Sequence, residues 1–139
     1  MPSTVYLAPA KVKRLAAEDT LPAKFQRMLD RFDLKGMFDG RRVAIKMHVG
    51  GHLGYTTIHP LFVRFLVQAV KNAGGWPFLT DGSFSVPGAV ARGYTQEVLG
   101  APIYPVAGAQ DRYYYEKPIG YRGLEKVQVA GNIADAEAM

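Results

Sequence analysis

All three histidines of the chain, His48, His52 and His59, lie on or beside one glycine-rich stretch, GGHLGYTTIH, and Lys46 precedes the first of them by two residues. Imidazole and ammonium groups gathered this way can do two kinds of chemistry. Neutral imidazoles joined by a carboxylate suit a divalent ion such as zinc, which makes His48, His52, His59 and Asp81 candidate metal ligands. The spacing H-x3-H-x6-H matches no compact metal motif. The second chemistry is anion binding. Backbone N–H groups of Gly50 and Gly51, together with the start of the helix that follows, can cradle a small anion, with Lys46 as the counter-charge. The stretch carries neither the dinucleotide fingerprint GxGxxG nor a P-loop.

Each of these residues also has a structural role open to it. Lys46 can reach solvent from a strand end, and His48 can sit half-buried on a strand. His59 stands directly before Pro60, where a helix cap belongs. Asp81 before Gly82 is a favoured turn pair.

The elements that position them are legible from hydrophobic periodicity. Arg42 to Val49 reads as a strand, with Val43, Ile45, Met47 and Val49 on one face and Ala44, Lys46 and His48 on the other. The segment PLFVRFLVQAVKNAG reads as a helix. It is apolar almost all round, with Arg64, Gln68, Lys71 and Asn72 as a narrow polar stripe, so protein should cover most of it. Gly74-Gly75 ends it, and Trp76 to Thr80 reads as a buried strand closed by Asp81-Gly82. Strand, helix and strand joined by short connections predict a parallel βαβ unit. Ligands of parallel α/β sheets bind beyond the carboxyl ends of the strands. Lys46, His48 and Asp81 are therefore expected to border one concave polar rim, closed by His52 or His59. Asp81 would stand about 5 Å to one side if the strands pair directly, or about 10 Å if one strand intervenes.

Outside that unit, Leu21, Phe25, Met28, Leu29 and Phe32 fall on one face of a helix that Thr20 can cap. Thr4 to Leu7 reads as a short strand. Pro87 to Tyr94 and Thr95 to Leu99 read as short helical segments, and Ile103 to Val106 as a strand. Arg112 to Lys117 and Leu124 to Ala130 read as two strands joined through Pro118, Gly120 and Gly123. Tyr113, Tyr114 and Tyr115 could stack nucleic-acid bases, but alternation puts the middle one on the opposite face, as in aromatics that cover a sheet.

Composition narrows the functions. The 139 residues fit one domain, 1–139, of α/β class with a mostly parallel sheet and flanking helices. There is no cysteine, which excludes disulfides, thiolate metal sites and a cysteine-ligated Fe–S cluster within the chain. The net charge of +5 favours anionic partners, yet the basic residues are scattered, which argues against a nucleic-acid surface. No apolar stretch reaches the length of a membrane span, and the N-terminus lacks a signal-peptide core, so the expected location is cytoplasmic. The C-terminal GNIADAEAM reads as a turn and short helix leading to another element. A parallel sheet left with few strands and an open edge is expected to be an incomplete portion of a larger α/β domain, prone to self-association or marginal stability.

The segments VAIKMHVG, IHPLFVRFLVQAVKNAGGWPFLTDG, GYTQEVLGAPI and VQVAGNIADAEAM resemble, in this order, the bacterial and archaeal family called domain of unknown function 362, whose members are often labelled Fe–S centre proteins. The resemblance implies a longer α/β domain with a further strand and histidine- and lysine-containing loops. In many members it also implies a ferredoxin-like module that this chain lacks. Where the family loop often carries an acidic residue, this chain has Gly51-His52. The expected function is a small-molecule, anion or metal-binding portion of a redox-associated protein. The alternative is a non-catalytic module that associates with itself or a partner.

Overall fold

The computed structural model describes residues 3–50 and 56–139. Near its start, the Thr20 hydroxyl accepts the Ala23 N–H and opens helix α1, Leu21–Leu29, with Pro22 in the first turn. The helical spacing of its apolar residues brings Phe25 edge-on to Phe62, ring centroids 5.5 Å apart. The helix stops at Leu29 rather than continuing to Phe32. Asp33 instead starts a second helix, α2, Leu34–Phe38, by accepting the Gly36 N–H at 2.9 Å. Its five residues are too few to show a helical period, so hydrophobic spacing does not predict it. Thr4 to Leu7, expected as a strand, forms none. A strand exists only through a neighbour's N–H and C=O groups, and among the described residues this run pairs with no other; Tyr6 instead rests edge-on against Phe32.

Strand β1, Arg42–Lys46, is followed by helix α3, Pro60–Asn72, and strand β2, Trp76–Asp81. The strands pair directly and in parallel, Arg42 opposite Trp76 and Lys46 opposite Thr80, as the narrow polar stripe of α3 requires. Val63, Val67 and Val70 form the buried stripe of that helix. Gly74, at φ +87°, turns the chain from α3 towards β2. The ladder ends sooner than alternation alone predicts. The Met47 N–H still reaches the Thr80 carbonyl at 3.2 Å, but His48 and Val49 lie beyond the strand. Within β1, Val43, Ala44 and Ile45 are all buried, because protein covers both faces of the sheet.

After β2 come two short helices, α4 (Val86–Ala89) and α5 (Gln96–Leu99), and then strand β3, Ile103–Pro105. The sheet order is β1-β2-β3, so β2 is central, and its Leu79 is fully buried. Burying a leucine side chain contributes about 1.5–3 kcal/mol. Leu79 packs in one cluster with Ile45, Val67, Tyr94 and Leu99. The fold class is thus α/β with a parallel three-stranded sheet, as expected.

The last third of the chain adds a separate antiparallel pair, β4 (Tyr114–Tyr121) and β5 (Leu124–Ala130). Arg122 and Gly123 join them, both at positive φ, +47° and +83°. A two-residue loop with two positive φ angles matches the right-handed twist of the strands it connects. One turn of helix, α6 (Gly131–Ala134), follows. The chain then returns to the outer edge of β1, where the Ala44 N–H donates to the Ala138 carbonyl at 2.9 Å.

Candidate functional site

Asp81 ends the central strand with its side chain only 8% exposed, whereas Lys46 is 44% and His48 65% exposed. The carboxylate is fully engaged. Its Oδ1 accepts the Lys46 ammonium at 2.9 Å, and its Oδ2 accepts the Val49 N–H at 2.9 Å. His48 Nδ1 stands 3.5 Å from the same Oδ2. Burial by itself would push the carboxyl pKa up. The Lys46 hydrogen bond, the N–H groups of Val49 and Gly82 and the lysine charge outweigh it, and together they hold Asp81 below the ordinary carboxylate value. One buried anion thereby fixes a loop and the Lys46 ammonium, with the His48 ring beside them.

The register explains why these residues meet. Lys46 is opposite Thr80, so Asp81 lies one residue further along the neighbouring strand, at the carboxyl end where ligands of parallel sheets bind. Of the sequence-predicted residues, Lys46, His48 and Asp81 lie next to one another. Gly50 adjoins them at φ +80°, and a Cβ there would meet Thr57 Cγ2 at 2.6 Å, so only glycine fits its close approach. Gly51 and His52 lie outside the described residues. His59 has a structural role, for its Nδ1 accepts the Leu61 N–H at 3.2 Å and caps α3. Among the described residues, no group of three or more His, Cys, Asp or Glu side chains could hold a metal ion.

Two further features leave no trace in hydrophobic pattern or motif. Arg92, in a 3₁₀ turn over Val90–Arg92, donates to the carbonyls of Val49 and Gly50 at 2.8 and 2.6 Å and secures the same loop from the other side. A separation of 42 residues between Arg92 and Gly50 leaves no sequence signal for that contact. The second is Asp111, which accepts hydrogen bonds from the Ser83 and Tyr114 hydroxyls at 2.7 and 2.8 Å. Those two bonds, Ser83 first, lower its pKa. Its φ of +54° places it in the left-handed region, which aspartate tolerates better than most residues.

Residues 43–139, more than half of the chain, match the model of a family described as Domain of unknown function (DUF362). The chain belongs to that family. The DUF362 match begins at the second residue of β1 and includes every element from there on, hence Lys46, His48 and Asp81 alike. Helices α1 and α2 precede it. No curated protein and no solved structure matches the chain. Among the described residues, no helix is long and apolar enough to cross a membrane.

Proposed function

We propose that the carboxyl end of the three-stranded sheet binds a small anionic ligand, received by Lys46 and His48. The observation that carries this reading is the state of Asp81. Lys46 and the Val49 N–H occupy its two oxygens, so the carboxylate serves to hold basic groups rather than to take a ligand itself. It presents an ammonium and an imidazole side by side, both open to solvent, where an anion can accept from each. The chain's net charge of +5 works in the same direction.

A divalent metal is the less favoured ligand. It would need His52 or His59 to join His48 and Asp81, and His59 Nδ1 already accepts the Leu61 N–H. A cysteine-ligated Fe–S cluster has no ligand here, because the chain contains no cysteine.

Calorimetric titration with inorganic phosphate tests the proposal. The parent chain should bind, and Lys46→Met and His48→Gln should each weaken binding on the order of tenfold, equivalent to about 1.4 kcal/mol. Both variants should stay folded by circular dichroism, since Asp81 keeps its backbone donors and both side chains face solvent. Equal binding by all three proteins, or none by the parent, would overturn the anion reading.

A further inference from the structure

The β4–β5 hairpin forms a sheet of its own, and no residue of either strand is buried. A lone two-stranded ribbon is marginally stable in water and gains stability when one face packs against something. The register shows which face is suited to that. Tyr115 lies opposite Val129 and Lys117 opposite Val127, and strand alternation along β5 adds Glu125 to the same face. The other face carries Glu116 and Lys126, already joined to each other at 2.8 Å. Neither Lys117 nor Glu125 takes part in an ion pair among the described residues; the Lys117 ammonium lies 6.0 Å from the centroid of the Tyr115 ring. One face is thus closed by its own salt bridge. The second offers an apolar strip with one cation and one anion that lack a charged partner.

We propose that this second face docks on the same face of a second copy of the chain, related by a twofold axis. Charge complementarity selects that partner. A twofold operation can exchange the positions of Lys117 and Glu125, so each lysine meets the other copy's glutamate and the two contacts are identical. The tyrosine and valine side chains between them are then removed from water. Face packing is favoured over edge pairing. Pro118 has no N–H to offer a neighbouring strand, and the ladder is irregular between Pro118 and Tyr121.

Sedimentation or light scattering on the full chain across a concentration series provides the test. The parent should form a dimer. Lys117→Glu and Glu125→Lys should each weaken association on the order of tenfold or more, because each puts like charges opposite one another. An equimolar mixture of the two variants should dimerise again, since both cross-contacts then pair opposite charges. Both substituted side chains, Lys117 and Glu125, are exposed, so circular dichroism should show each variant folded as the parent is. A parent that stays monomeric, a dimer indifferent to both reversals, or a mixture that fails to recover would each overturn the proposal.

Discussion

Replacing Asp81 by alanine is expected to cost about 2–4 kcal/mol of stability at neutral pH, because a buried acceptor of several donors disappears at once. The Val49 N–H, in a residue with no exposed surface, loses its partner, and Lys46 is released to solvent. The cost stays below that of a fully buried pair because Lys46 is already 44% exposed and can hydrate. Acid should narrow the difference. Asp81 has a folded-state pKa below its ordinary value of 3.8, so its contribution is complete above that value and is lost as the pH falls through the lower folded value. Urea unfolding of parent and variant, followed from neutral pH into acid, measures both effects. The gap in midpoint should be full at neutrality and narrow in the acid range. A gap that is absent at neutrality, or that widens in acid, would show that Asp81 does not hold the loop through its charge.

The second large effect belongs to the root of the hairpin. Gly131 N–H donates to the Tyr113 carbonyl at 2.8 Å, and the tyrosine ring lies directly over the glycine. A Cβ at position 131 would come within 2.3–2.5 Å of three ring atoms. The ring cannot simply swing aside. Its hydroxyl donates to Asp135 at 2.5 Å and contacts the Tyr115 hydroxyl at 2.9 Å, while Tyr115 donates to the other Asp135 oxygen at 3.0 Å. The hydrogen bond to Asp135, with Tyr115 second, raises the Tyr113 pKa. Gly131→Ala should therefore cost about 2 kcal/mol through overpacking, or roughly 5–10 °C in melting temperature. Gly131→Ala combined with Tyr113→Ala should recover much of that loss, because the clash is then gone. Thermal melts followed by circular dichroism distinguish the cases, and an unchanged melting temperature for the single variant would contradict the packing described.

Much of this arrangement is legible in the residues themselves. The long helix between two strands can be read because its polar stripe is so narrow that only burial on nearly all sides explains it. Lys46, His48 and Asp81 can be brought together because each stands at or near a strand end, and parallel strands place those ends on one side. The failures are physical too. Alternation after Arg42 runs on to Val49, but the Val49 N–H turns to the Asp81 carboxylate, and periodicity does not record a competing acceptor. Arg92 is invisible in the sequence because its partners are backbone carbonyls far away along the chain, which carry no residue-type signal. Thr4 to Leu7 has strand-forming residues and, among the described residues, no strand beside it. Propensity predicts what a segment can pair as, whereas pairing needs a partner.

We propose that Asp81 holds Lys46 beside His48 to receive a small anion. Titrating the isotope-labelled chain with inorganic phosphate, and following every backbone and histidine resonance by NMR, tests it most directly. Saturable shifts should concentrate on Lys46, His48, Val49 and Gly82, with the β4–β5 hairpin unmoved, and Lys46→Met should need on the order of tenfold more phosphate to reach them. Shifts that never saturate, or that gather on surface lysines away from the ends of β1 and β2, would contradict it.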